Sequence, residues 1–225
     1  MSSSVTRYAR FVVAAGLLLL ALAIVGWDCQ SLPRCLGYIA MAAIASTFKV
    51  KLPGIAGTVS PGFAAILAAV VELGWAETAV LAAVCGVVQC VWNVSKRPGA
   101  LQIAFNAACM VLSATAAFRL AHLSIADSTQ YASVARVAIA TPALFAANTI
   151  LMALLFSLLE GQRMLGFWRK IHLWTFPHYI LGAVVAVGLG LASAAAGLSL
   201  PWLALPVMYL QFAHQREVIG SSSNA

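Results

Sequence analysis

The sequence predicts an all-α integral membrane protein of about eight transmembrane helices, with both termini cytoplasmic. Three observations carry this. Of 225 residues, 63% are hydrophobic and only 8% charged, with a mean hydropathy of +0.96, whereas soluble domains are about 45–50% apolar and about 25% charged. The apolar residues gather into runs approaching the roughly 20 residues that one helical crossing needs. The basic residues collect in alternate connections between those runs, as the positive-inside rule requires. A soluble globular domain, a disordered chain and a disulfide scaffold are excluded together, the last because 5 Cys are too few. A net charge of +7 then points to loops beside anionic lipid rather than to nucleic acid.

The elements follow in order. Residues 1–10 form a cytoplasmic N-terminus carrying Arg7 and Arg10, and Phe11–Trp27 is a charge-free first span. The break Asp28–Arg34 is too short to begin a hydrophilic mature region, so the span is read as uncleaved. Further spans are expected at Leu32–Phe48, Leu52–Val71, Thr78–Val94, Gly99–Phe118, Val137–Leu159, Phe176–Gly197 and Leu200–Phe212. The second and last are short for a bilayer. Residues 11–214 thus form one polytopic membrane domain, and the small, polar tail 215–225 is expected to be disordered.

Eight crossings assign every cation to a side. Of the 13 Lys and Arg, Arg7, Arg10, Lys49, Lys51, Lys96, Arg97, Arg163, Arg169, Lys170 and Arg216 fall inside, leaving Arg34, Arg119 and Arg136 outside.

The stretch Phe48-Lys-Val-Lys-Leu-Pro-Gly-Ile-Ala-Gly-Thr-Val-Ser-Pro-Gly-Phe63 stands apart. Pro53 and Pro61, with Gly54, Gly57 and Gly62, interrupt the backbone ladder within or beside a span. Such breaks are tolerated at membrane depth where protein surrounds them or they line a cavity. Thr58 and Ser60 are therefore candidate ligand contacts; the plainer alternative is a tight turn followed by a helix kinked at Pro61. Buried amides form a second set. Gln89 with Asn93, and Gln102 with Asn106, are spaced i, i+4 and should share inward faces. With Asn148, they suit interhelical hydrogen bonding; the sharper alternative places Asn106 and Asn148 in a polar pocket with Ser60.

No carboxylate falls mid-span, which argues against a proton relay or intramembrane enzyme. No catalytic motif is apparent, so no catalytic residue, metal site or cofactor is expected. Cys29 and Cys35 are placed in one outer loop at a spacing that permits a bridge. Cys85, Cys90 and Cys109 read as small buried hydrophobes. The segment Gln162–Tyr179 mixes Arg163, Arg169 and Lys170 with Phe167, Trp168 and Trp174, suiting an amphipathic piece in the headgroup layer. Pro177 then opens the seventh span.

Several of these stretches (Phe48–Gly54 through Ser60, Gln89–Trp92, Phe105-Asn106, Asn148-Thr149, Trp174–Tyr179 with Gly182, and Pro206–Leu210) resemble the multi-span N-terminal input domain of bacterial HD-GYP phosphodiesterases and diguanylate cyclases. The resemblance covers about Ser46 to Phe212. It implies a bacterial inner-membrane module that senses a small or lipophilic ligand, or a membrane or cytoplasmic signalling partner. The catalytic sequences His-Asp-Gly-Tyr-Pro and Gly-Gly-Asp-Glu-Phe are absent, so no activity is carried over. A rival expectation, from the transport class, is a substrate-binding membrane subunit similar to the S components of energy-coupling vitamin transporters.

Overall fold

The computed structural model describes residues 3–28, 31–51, 58–94, 97–124, 131–161, 163–171, 175–197, 201–210 and 212–213. They form helices α1 Ser3–Val25, α2 Leu32–Thr47, α3 Gly62–Glu72, α4 Trp75–Val91, α5 Ala100–Ser124, α6 Ala132–Glu160, α7 Met164–Ile171 and α8 Phe176–Ala196. A last apolar helix, α9, runs Pro201–Leu210 and opens with a 3-10 turn. Among the described residues, the one strand pairing is a two-residue antiparallel pair, β1 Val50–Lys51 with β2 Thr58–Val59, in register Val50 to Val59 and Lys51 to Thr58. Among the described residues, four helices are long and apolar enough to cross a membrane: α1, α5 from Ala100 to Leu123, α6 and α8. They fit a membrane protein, and so does the outer surface. Phe11, Leu18 and Val25 on α1, Leu36 on α2, and Val184 and Leu191 on α8 are exposed large hydrophobics that suit lipid rather than water.

Contacts fix the helix directions. Arg34 meets Glu72 while Ser46 lies against Gly62, so α2 is antiparallel to α3. Thr78 bonds Ala69 and Cys85 approaches Gly62, which sets α4 antiparallel to α3. Trp75 reaches Thr115 and Gly86 abuts Ala107, reversing direction again into α5. Phe63 packs at Gly182 and Glu72 near Gly190, so α8 runs parallel to α3. Arg7, Arg10, Lys49, Arg97, Arg163 and Arg169 thus come to one end of the bundle. Arg34, Glu72, Glu77, Arg119 and Arg136 lie at the other.

The main departure from expectation is the third segment. Instead of a span over Leu52–Val71, α3 begins at Gly62. Pro61 caps it rather than kinking it, because a proline at a helix start gives up only an amide that has no intrahelical acceptor. At eleven residues, α3 is roughly 16 Å long, about half a hydrocarbon core. Every residue from Gly62 to Val70 is buried, as befits a helix apolar on all sides. Ala64, Ala65, Ala68 and Ala69 let α2, α4, α6 and α8 close around it.

Other boundaries also move. Residues 3–10, expected to precede the first span, continue α1, with Val5 and Ala9 buried. Cys35 sits buried in the first turn of α2 rather than in a loop; Cys29 lies outside the described residues. Cys85 and Cys109 are buried as expected, and Cys90 is half-buried. The helix α4 stops three residues before the expected Val94, leaving Asn93 exposed at φ 43°. Asn tolerates that left-handed geometry and so ends helices. The inward face expected for Gln89 with Asn93 is thereby lost, and Gln102 is likewise exposed. As expected, Pro177 falls in the first turn of α8. The connection before it carries a short helix, α7, whose Leu165 and Arg169 are exposed. His172, Trp174, His214 and the tail 215–225 lie outside the described residues.

Candidate functional site

The site is built where α3 begins. Chain direction reverses through β1 and β2, and Ser60 and Pro61 deliver α3 into the bundle centre with its first amides pointing back toward the basic end. Ser60 is buried, and its Oγ accepts from the Gly62 amide at 3.4 Å. Ser46 of α2 and Gln89 of α4 close on the same glycine. A Cβ at Gly62 would stand 2.5 Å from Ser46 Oγ, 3.1 Å from Gln89 Nε2 and 3.3 Å from Ser60 Oγ. Gly62 is required here because no side chain fits among three polar groups. Ser46 is fully buried, and its hydroxyl makes no well-formed hydrogen bond among the described residues. Cys85 supports the junction from below, its Sγ 3.9 Å from the carbonyls of Ala42 and Gly62.

Lys49 adds charge to the rim. Its Nζ donates to the Gln89 carbonyl at 3.0 Å. Burial lowers the Lys49 pKa below its ordinary value, a shift that the nearby Cys90 sulfur partly opposes. Together with the positive end of the α3 dipole, this cluster of hydroxyls, amide and ammonium offers donors. It suits an oxygen acceptor rather than a cation.

An aromatic wall flanks the second residue of α3. Phe63 stacks on Tyr179 of α8 at 4.5 Å between centroids, and Phe145 of α6 meets Tyr179 edge-on at 5.2 Å. Trp168 brings α7 against this wall, its indole donating to Thr149 Oγ1 at 2.9 Å.

The residues expected to form the site divide. Ser60 stands at the centre. Thr58 belongs to β2, directly before it. Asn148 donates to the Tyr179 hydroxyl at 3.1 Å, tying α6 to α8 behind the aromatic wall. Asn106 donates to the Gly86 carbonyl at 2.6 Å, where α4 and α5 approach closely. Both asparagines therefore act as interhelical ties around the junction, each bonded to a helix neighbour rather than to Ser60. Ser46 escapes a reading of the sequence, since a lone Ser near the end of an apolar run carries no signal until α3 is seen to start opposite it. Among the described residues, no group of three His, Cys, Asp or Glu side chains assembles to hold a metal.

Compared with known proteins, the chain matches no family model, no curated protein and no solved structure.

Proposed function

We propose that this chain is a sensor-like membrane module without catalysis of its own, binding a small or lipophilic ligand, or a partner membrane protein, at the start of α3. The observation that supports this best is a half-length helix held wholly inside the bundle, its polar start ringed by Ser46, Ser60 and Gln89 beside Lys49. Interrupted helices of this kind present backbone donors at membrane depth. The resemblance to the input domains of cyclic-di-GMP enzymes leads to the same reading.

In this reading α1 to α6, α8 and α9 are the eight crossings of a bacterial inner membrane, the third completed by the β1–β2 segment. The basic end faces the cytoplasm. The alternation of helix directions favours that arrangement, since each of the eight reverses the one before it.

The test is thermal unfolding of the purified protein against a broad metabolite and lipid panel, because a ligand of the folded state must raise stability. A stabilising compound whose effect is lost in Ser60→Ala is the expected result. Failure of every compound to stabilise overturns the ligand site. Should cells carrying the protein accumulate the stabilising compound, the transport-subunit reading replaces the sensor reading.

A further inference from the structure

The turn from α6 into α7 carries a surface of its own at the basic end of the bundle. Gly161 ends α6 at φ 67°, the left-handed geometry that closes a helix. The chain then folds back, because the Trp168 indole of α7 reaches Thr149, well before the last residue of α6. Trp168 and Met164, spaced i, i+4, are half-buried. Leu165 and Arg169, at the same spacing, share a face of α7 that is left exposed.

Leu165 is 61% exposed, and Leu158 and Leu159 stand exposed in the last turn of α6. Arginines accompany these leucines. Arg163 is exposed just before α7 and Arg169 within it. Tyr8 donates to the Leu151 carbonyl at 2.9 Å, tying the start of α1, with its exposed Arg7 and Arg10, to the same half of α6. Among the described residues, Glu160 is the one carboxylate at this end.

A single exposed leucine needs no partner. Leucines set beside arginines, at the end of a bundle whose flanks suit lipid, fit the boundary between acyl chains and headgroups. There leucine enters the apolar side, and arginine grips phosphate with a bidentate fork. Charge then selects the lipid. A zwitterionic headgroup balances its phosphate with its own ammonium, whereas an anionic one brings net negative charge to Arg7, Arg10, Arg163 and Arg169, which only Glu160 opposes. We propose that the α6–α7 turn and the exposed face of α7 bind anionic phospholipid, Arg163 and Arg169 on the phosphates and Leu165 in the acyl boundary. This requires neither a ligand at the start of α3 nor a particular number of crossings.

The test places a polarity-sensitive fluorophore on Gly166→Cys, where nothing lies within 4 Å of the added Cβ; the unsubstituted chain, treated alike, corrects for label on native cysteines. The full chain is reconstituted in nanodiscs of phosphatidylcholine with rising fractions of phosphatidylglycerol. A saturable blue shift with phosphatidylglycerol is expected, and it should be lost in about 1 M salt, where the Debye length is about 3 Å. Arg163→Gln or Arg169→Gln should each require about fivefold more phosphatidylglycerol for half the shift, the loss of one cation near the lipid surface. The pair Arg163→Lys with Arg169→Lys keeps the charge and should retain most of the response. Both arginines are exposed, so Tm in pure phosphatidylcholine should be the same for every variant. Emission indifferent to phosphatidylglycerol, as expected if α7 met an acidic protein instead, or a shift unchanged by both Gln variants, overturns the proposal.

Discussion

Gly182 of α8 occupies the one place along that helix where the ring of Phe63 comes so close that a Cβ would collide with it. Phe63 is buried and stacked on Tyr179, one turn before Gly182. The glycine thus seats the aromatic wall against the start of α3.

Gly182→Ala should therefore destabilise the protein by about 1–3 kcal/mol, the usual range for overpacking a filled core. Gly188, also on α8, has nothing within 4 Å of the position a methyl group would take. Gly188→Ala should be neutral or stabilising by up to about 1 kcal/mol through helix propensity. Thermal unfolding in one detergent compares the two; equal losses would mean that the Phe63 contact is not what matters.

Asn106→Leu removes the 2.6 Å bond to the Gly86 carbonyl. A loss of about 0.6–1.7 kcal/mol is expected, the range of interhelical hydrogen bonds in membranes. Ligand affinity at the start of α3 should be unchanged. A variant with unaltered stability would show that the tie between α4 and α5 lies elsewhere.

Lys49 makes stability depend on alkaline pH. Its folded-state pKa is lowered, so between that value and the ordinary lysine value near 10.4 the unfolded chain holds more protons, and stability rises with pH. Below the folded pKa both states are protonated and the full penalty for burying the charge applies. Lys49→Met should abolish the alkaline rise, as read from Tm measured across that interval. An unchanged slope would assign it to another group.

Trp168→Phe breaks the bond that docks α7 onto Thr149. The cost is about 1 kcal/mol, but its consequence is local: α7 should release, and trypsin should cut faster at the exposed Arg163 and Arg169. Identical cleavage rates would indicate that ring packing against Phe145, at 6.0 Å, holds α7 by itself.

A reporter fused after Ala225 should read cytoplasmic under the eight-crossing arrangement. A periplasmic signal would remove at least one crossing from it.

Much of this arrangement is legible in hydropathy alone. The long helices α1, α5, α6 and α8 coincide with the apolar runs, because a crossing must be both continuous and apolar. The third segment is legible only in part. Pro53, Gly54, Gly57 and Pro61 announce a break, but hydropathy averages over it, so Leu52–Val71 reads as one run although the helix begins at Gly62. Asn93 misleads because the i, i+4 rule assumes a helix, and asparagine is also a residue that ends one. Arg34 and Glu72 each read as charges at the ends of spans. Their pairing across 38 positions depends on α2 and α3 lying antiparallel, which no local pattern encodes.

The link between α3 and α4 is two residues long, Leu73 and Gly74, and is locked by Glu77 accepting from the Gly74 amide at 2.8 Å and by Thr78 donating to the Ala69 carbonyl at 3.1 Å. This has a bearing on biogenesis. An eleven-residue helix is too short to be threaded across a bilayer alone, so in the proposed eight-crossing arrangement α3 would travel as the passenger of its tethered neighbour. Its berth, walled partly by α6 and α8, is complete only once those later-synthesised helices have arrived. In that arrangement the centre of the molecule should settle last, and damage to the Leu73–Gly74 tether should surface as failed maturation during synthesis rather than as a weaker finished protein.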